Sequence, residues 1–479
     1  MKLCNNIIAD TDAYKLTHHL QYPKGLNYMY SYAEARIGSK YPWITFFGLQ
    51  MVLKDYFVGQ VLTKVMIDEA EELAYETFGQ NYFNRKDWEY ILEKYDGKLP
   101  MKIKAVPEGK IINSGNVLFT MESTDPVFAK YLNSMETVLT HVWYPIVVAT
   151  KGAYILQGVY PYFEKIDATE ALPYVINDFG FRGVSGKEEA ARGGAAHLLN
   201  CVGSDTLIGQ RLLKSHYNAS PRLQSVLATE HSVATMYGEG DEVGYVRNLL
   251  NKDYISENAI ISCVGDSYDI FRFAREVLSH PEIKQLLIER PGRFVLRPDS
   301  GNPIEVNLEL LFILSEVFGY SYINGMKQIN HNIGLIQGDG MDQDSIIALY
   351  AALDANGWAA TNLVVGSGGG LLRKHTRDDI SFAIKASYAE FDDGTKRNIV
   401  KNPITQTNKK SKTGKLKLVA GYTSGKLTDY MTINHESENF DGYVDNLEEV
   451  FNNGELIKSY TFDEVLSNRS IDKFIKQKE

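Results

Sequence analysis

Seven short apolar runs between Leu172 and Leu372 each stop on glycine and charged or hydroxyl residues, and each is followed by a stretch with helical periodicity. In order they read ALPYVINDFGFRG (171–183), LLNCVGSDT (198–206), SVLATEHS (225–232), IISCVGDSYD (260–269), RFVLRPDSGNP (293–303), IGLIQGDG (333–340) and TNLVVGSGGGLL (361–372). Runs this short and this rich in Val, Ile and Leu suit parallel strands buried on both faces, which are joined by right-handed helical crossovers. Seven such units predict a closed β/α barrel. That architecture gathers the carboxyl ends of its strands on one rim. Asp178, Arg182, Asp205, His231, Asp266, Arg297, Asp299, Asp339 and the glycines of 366–370 should therefore ring one cavity, although the sequence scatters them widely.

The flanks read differently. YMYSYAEAR (28–36) alternates like a half-buried strand, and KIKAVPEGKIINSGNVLFTME (102–122) like antiparallel strands turning at 107–109 and 113–115. Helical stretches are expected at 63–95, broken near Gly79, and at 126–165; strands return at 415–423 and 455–462. The simplest assembly is an α+β domain built from both ends of the chain, residues 1–165 and 386–479, with the barrel of 166–385 inserted between.

With 44% hydrophobic and 23% charged residues among 479, the chain has the composition of an ordinary globular protein. Cys4, Cys201 and Cys263 are scattered, without CxxC or zinc-ligand spacing, and the ten histidines form no HExxH or HxH. No run approaches the roughly 18 apolar residues of a membrane span, and the N-terminus turns polar before a signal-peptide core forms. A cytoplasmic protein is the expectation. A net charge of −10 disfavours nonspecific nucleic-acid binding, which depends on releasing counterions to a basic surface. Lysines nevertheless cluster in KNPITQTNKKSKTGKLK (401–417), for which a solvated loop and a lysine-guarded edge strand is the plain structural reading.

The strand ends carry the chemistry. GSGGG (366–370) leaves backbone N–H groups unshielded, so a phosphate can approach them, although no Walker or dinucleotide spacing is present. RPDSGNP (297–303) sets Arg297 and Asp299 beside a turn, and Asp299 suits ribose hydroxyls or a phosphate-bound Mg²⁺. GDG (338–340) offers a carboxylate with exposed backbone. In GDSYD, Asp266 or Ser267 is placed to cap the next helix, and Ser185-Gly186-Lys187-Glu188 has capping-box spacing.

DFGFRGVS, VGSDT, ATEHS, GDSYD, RPDSGNP, QGDG and GSGGGLL, in this order, resemble the nicotinamide phosphoribosyltransferases, as do TDAYKLTHHLQYP and YSYAEAR near the N-terminus. The resemblance implies a homodimer with shared active sites, in which nicotinamide attacks 5-phosphoribosyl-1-pyrophosphate. It implies that Phe179 and the partner chain's copy of Tyr14 sandwich the pyridine ring while Asp205 accepts a hydrogen bond from the carboxamide. It further places Arg182 in the substrate site, and Arg297, Asp299, Gly338, Asp339, Gly368 and Gly369 around the ribose and its 5′-phosphate. Arg36, Arg377, Lys385, Lys401 and Lys409 would supply phosphate charge, and His231 would be phosphorylated by ATP, a coupled co-substrate beside Mg²⁺. Asp266 joins His231, Arg297 and Asp299 as a candidate catalytic residue. Two departures stand out: Ala383 occupies the place of a phosphate-contacting serine, with Ser381 nearby, and Phe181 that of a tyrosine.

The residues agree with that chemistry, because displacing pyrophosphate builds positive charge on the ribose and negative charge on the leaving group, calling for carboxylates at one and cations at the other. One alternative is a nicotinate phosphoribosyltransferase, where Asp205 would face a substrate carboxylate. Two charges ~4 Å apart at an effective dielectric of ~20 repel by about 4 kcal/mol, a discrimination of roughly a thousandfold in favour of nicotinamide. The other is a non-catalytic phosphoribosyl-binding or signalling protein, which would have no need of the full polar ring.

Overall fold

The apolar runs of 171–372 demand burial on both faces. In the computed structural model of the chain, which describes residues 5–405, 410–421, 428–435 and 443–476, they form a parallel sheet. Its strands Ile176–Asp178, Leu363–Ser367, Ile333–Gln337, Phe294–Arg297, Ile261–Val264 and Leu227–Ala228 lie side by side in that order, and every neighbouring pair is parallel. Ile261–Val264 and Ile333–Gln337 are buried throughout, each Val, Leu or Ile side chain contributing on the order of 1.5–3 kcal/mol.

Six strands form, not seven. LLNCVGSDT yields only single parallel bridges, Ser204 with Asp178 and Gly203 with Gln224. The cause is local: the amides of Asn200 and Cys201 bond the His197 carbonyl, prolonging the turn that ends the helix Lys187–His197, and the next helix begins at Leu207. Too few residues remain extended to make a strand. The expected barrel is therefore a six-stranded parallel sheet whose two edges are joined only by those single bridges. At Gly203 the approach is so close that a Cβ would lie 2.1 Å from Asn177 Oδ1.

The sheet belongs to a unit of Lys151–Leu212, Pro221–Lys374 and the described residues from Phe474 onward. The second unit takes the described residues up to Thr150, with Leu213–Ser220 and His375–Lys473, so both ends of the chain build it. The boundaries fall at 150/151 and 374/375, where the sequence reading has 165/166 and 385/386. Phe382–Phe391 pairs antiparallel with Leu26–Ala35, which draws Lys385 into the second unit.

That unit's sheet runs Lys396–Asn398, Phe382–Phe391, Leu26–Ala35, Val117–Ser123, Met101–Ala105, Glu448–Asn452, Glu455–Leu456. Leu26–Ala35 is not half-buried as its alternation predicts: an inner strand, it is buried continuously from Met29 to Ala35. Ile111–Asn113 pairs with Trp43–Thr45 and stays outside the large sheet. Helices Lys64–Phe78 and Arg85–Tyr95 flank Gly79, whose φ of 69° ends the first. The strand expected at 455–462 stops at Leu456, because Thr461 and Glu464 form a capping box that starts the helix Phe462–Asn468.

Candidate active site

A cavity of about 880 Å³ opens at the carboxyl ends of the parallel strands, lined by residues that end or follow five of them, Phe179, Thr229, Arg297, Gly338 and Gly368, together with Asp205 and others. Of the candidates from the sequence, Arg182, Asp299, Asp339 and Gly369 share it. The lining carries four cations, Arg182, Arg297, Arg373 and Lys374, and four carboxylates, Asp205, Glu230, Asp299 and Asp339. Such a wall suits a ligand with both hydroxyls and phosphates. The sequence reading missed Arg373, Lys374, Met341, Thr229 and Glu230; the signal for the first two was their place directly after GSGGGLL, where the amides of both bond the Gly369 carbonyl at 2.9 Å.

The loops are held from behind. Gln337 is buried and donates to the Asp339 carbonyl at 3.0 Å, while accepting from Asn307 Nδ2 at 2.6 Å. Ser367 Oγ donates to the Met341 carbonyl at 2.6 Å. An added Cβ would crowd several of these turns. A Cβ on Gly366 would meet the Phe179 ring at 2.1 Å, and one on Gly338 would meet Asp299 Oδ1 at 2.4 Å. On Gly369, by contrast, the nearest neighbour would be 3.9 Å away, so the backbone there stands open.

Arg297 Nε is buried with no hydrogen-bond partner. A buried guanidinium nitrogen left unmatched carries a desolvation cost, which the fold around Arg297 bears.

His231 opens the helix His231–Thr235 at the edge of this region. Its Nε2 lies 3.0 Å from Asp266 Oδ1 and its Nδ1 3.9 Å from Asp299 Oδ2, with the imidazole 45% exposed and the Asp266 side chain 5% exposed. The second oxygen of Asp266 accepts from Ser300 Oγ at 2.6 Å and from the Asp299 amide at 3.1 Å. Asp266 thus orients His231 and the 297–303 turn together. Neither Asp266 nor Ser267 caps the following helix. Asp269 does so, accepting from the amides of Phe271 and Arg272. Likewise Ser185 bonds Glu189, not Glu188, which pairs with Arg192.

Asp205 receives a hydrogen bond from Ser225 Oγ. Burial pushes the Cys263 thiol up to about 12, which removes it as a nucleophile. Among the described residues no three His, Cys, Asp or Glu side chains gather as a metal site. Asp299 can offer a hard oxygen to a cation held mainly by phosphates and water, the usual arrangement for Mg²⁺.

The other candidates lie in the second unit. Arg36, Arg377 and Lys401 all act electrostatically on Lys385, whose ammonium is held below the ordinary lysine range chiefly by burial and then by these like charges, against the opposing pull of Glu136. A cationic cluster left this uncompensated favours an anion. Lys409 lies outside the described residues. Of the remaining lysines in the 401–417 run, Lys412 pairs with Glu34, and Lys415 sits 3.5 Å from Glu390 and over the ring of Tyr28; these are not solvated loop charges. Ala383 is buried in its strand, and Ser381, in the left-handed region at φ 47°, bonds the Asp378 carbonyl at 3.4 Å. Tyr14 is 57% exposed, its ring edge-on to His18.

Residues 174–455 match the model of the nicotinate phosphoribosyltransferase (NAPRTase) family, and residues 6–103 that of the nicotinamide phosphoribosyltransferase N-terminal domain. A protein of Xanthomonas campestris pv. campestris named nicotinamide phosphoribosyltransferase is 37% identical over 472 residues, 97% of this chain and 98% of the relative. One of the same name from Acinetobacter baylyi is 30% identical over 501 residues, 96% of each. Among solved structures, nicotinate-nucleotide pyrophosphorylase from Pyrococcus furiosus superposes with a TM-score of 0.62 at 15% identity, covering 100% of this chain and 99% of that one. Human nicotinic acid phosphoribosyltransferase gives 0.59 at 14%, covering 96% and 92%. At such identities these two structures speak for the fold.

Proposed function

This chain belongs to the nicotinamide phosphoribosyltransferase family, and from that premise we propose that it joins nicotinamide to 5-phosphoribosyl-1-pyrophosphate, giving nicotinamide mononucleotide and pyrophosphate in NAD salvage. The observation that carries this reading is the convergence of Phe179, Asp205, Arg297, Asp299 and the glycine turns on one cavity. The pyridine nitrogen donates its electron pair to the anomeric carbon as the bond to pyrophosphate breaks and its electrons leave with that group. Asp299 and Asp339 offset positive charge growing on the ribose, and the arginines meet the phosphates. Direct attack by the ring nitrogen needs no protein nucleophile. Mg²⁺, when bound with the substrate, would neutralise phosphate charge, with Asp299 contributing one ligand. The active form is a homodimer in which Tyr14 of one chain closes the ring site of the other.

Pyrophosphate release with nicotinamide and with nicotinate, side by side, tests the assignment. Nicotinamide should be preferred, and Asp205→Asn should weaken nicotinamide turnover by roughly tenfold or more, the scale of a charge-assisted hydrogen bond, while relaxing the exclusion of nicotinate. A preference ratio equal in mutant and parent would remove Asp205 from the specificity role. A parent that prefers nicotinate would establish the alternative substrate.

ATP coupling would act through His231. With Asp266 bound at Nε2, the tautomer that donates there leaves the Nδ1 lone pair free to accept a phosphoryl group. A phosphorylated imidazole would carry negative charge opposite the same arginines and lysines that bind pyrophosphate, which links ATP cleavage to the occupancy of that subsite. ATP should raise affinity for the phosphoribosyl substrate or the yield of product, and His231→Ala should abolish that gain. An acid-labile, base-stable phosphate on the parent, absent from the mutant, would support the step; ATP stimulation that survives in His231→Ala would sink it.

A further inference from the structure

We propose that Asp178 is a specificity-determining positioning residue, which locks the aromatic platform of Phe179 to the carboxamide acceptor Asp205. This rests on the nicotinamide reading above. Asp178 ends the strand Ile176–Asp178 and is wholly buried. Its Oδ1 accepts from the Gly180 amide at 2.8 Å, its Oδ2 from Ser204 Oγ at 3.3 Å, and its own carbonyl accepts from the Asp205 amide at 2.9 Å. One residue therefore fixes both the turn that follows Phe179 and the segment that carries Asp205.

The second segment needs such a clamp, because it lacks a strand of its own. Gly203 and Ser204 are joined to their neighbours by single bridges, so no continuous ladder sets the position of Asp205. The other restraints converge on the same stretch. Ser204 Oγ accepts from the Thr206 amide at 3.0 Å. His197 Nε2 lies 2.8 Å from the Gly203 carbonyl, while its Nδ1 is buried without a partner. Burial pushes that imidazole below its usual range. Because a carbonyl oxygen can only accept, Nε2 is the donor in that contact.

The consequence is electrostatic as well as steric. The hydrogen-bond donors on the Asp178 carboxylate are a neutral amide and a hydroxyl. Its charge, screened poorly in the interior, lies behind the same pocket that Asp205 faces. A substrate carboxylate would meet the field of two acids; a carboxamide would not be repelled.

Asp178→Asn in the full chain removes the charge and keeps the shape. The measurements are kcat and KM for nicotinamide and nicotinate, KM for 5-phosphoribosyl-1-pyrophosphate, and thermal unfolding. The nicotinamide KM should rise by roughly tenfold and the preference over nicotinate should narrow by a similar factor, the size of a lost charge-assisted hydrogen bond. KM for the phosphoribosyl substrate should stay within about twofold, since that half of the cavity is supported by Gln337 and Ser367 instead. A parental preference ratio in the mutant overturns the proposal, as does a parallel rise in all KM values with a lowered melting temperature. Should Asp178→Asn not fold, Ser204→Ala removes one of the two donors and is judged by the same ratio: narrowing supports the proposal and an unchanged ratio overturns it. The parent in the same assay keeps the two readings apart. Nicotinamide turnover by the parent with unchanged selectivity in the mutant defeats the role of Asp178 alone, whereas no turnover by the parent defeats both.

Discussion

Arg297→Ala is expected to lower kcat/KM for 5-phosphoribosyl-1-pyrophosphate by about a hundred- to a thousandfold, the range found when one preorganised charge-stabilising donor is removed. The residue stands at the end of the strand Phe294–Arg297, and its side chain lies against Gly338, where an added Cβ would be 3.1 Å from Arg297 Cδ. Its aliphatic stem is thus fixed by packing. Its Nε is buried without a partner, so the protein has already met the cost of desolvating a donor that no protein group satisfies. The residue lines the cavity, so a phosphate or ribose oxygen entering it meets a guanidinium charge whose stem is already held in place. Arg297→Lys should recover only part of the loss, because an ammonium cannot reproduce the planar fork. Steady-state kinetics on both variants, with nicotinamide varied separately, measure this. A loss below about tenfold in Arg297→Ala would take the guanidinium out of the phosphoribosyl site.

The legible parts of this molecule were those governed by short-range pattern. Strand ends with Gly, Asp and Arg located the cavity lining, since a parallel sheet puts all its carboxyl ends on one side whatever its exact strand count. Closure was not legible: whether 198–206 becomes a strand depends on how far the preceding helix overruns, which hydrophobic composition does not encode. The half-buried reading of Leu26–Ala35 failed because alternation reports side-chain type, while burial there is set by strands far away in sequence, Val117–Ser123 and Phe382–Phe391. Asp266 precedes a helix at a strand end, a position that suits either a cap or a rim carboxylate. In the fold its oxygens go to His231, Ser300 and the Asp299 amide, long-range partners that no local motif announces. Arg373 and Lys374 carry no motif of their own, but their spacing of about one turn from Gly369–Gly370 sets them beside the same backbone.

Mixing two inactive variants, Tyr14→Ala and Asp299→Ala, should restore activity. The cavity with Asp299 belongs to one unit of the fold, and Tyr14 belongs to the other, where its ring is exposed. If the ring site is closed by the partner chain, a heterodimer of the two variants holds one site with both Asp299 and Tyr14 intact and one with neither. Random exchange makes about half of the dimers mixed, and each has one working site of two, so recovery should approach about a quarter of the parental rate. Each homodimer alone should remain inactive, because every site lacks either the ring partner or the carboxylate. Activity should rise with the time allowed for subunit exchange and should track the heterodimer fraction, followed with a size or affinity tag on one variant. No recovery once exchange is verified would mean that each site is built from a single chain. Recovery in proportion to heterodimer would establish at once that the enzyme is a dimer, that Tyr14 acts in trans, and that Asp299 is indispensable to the cavity it lines.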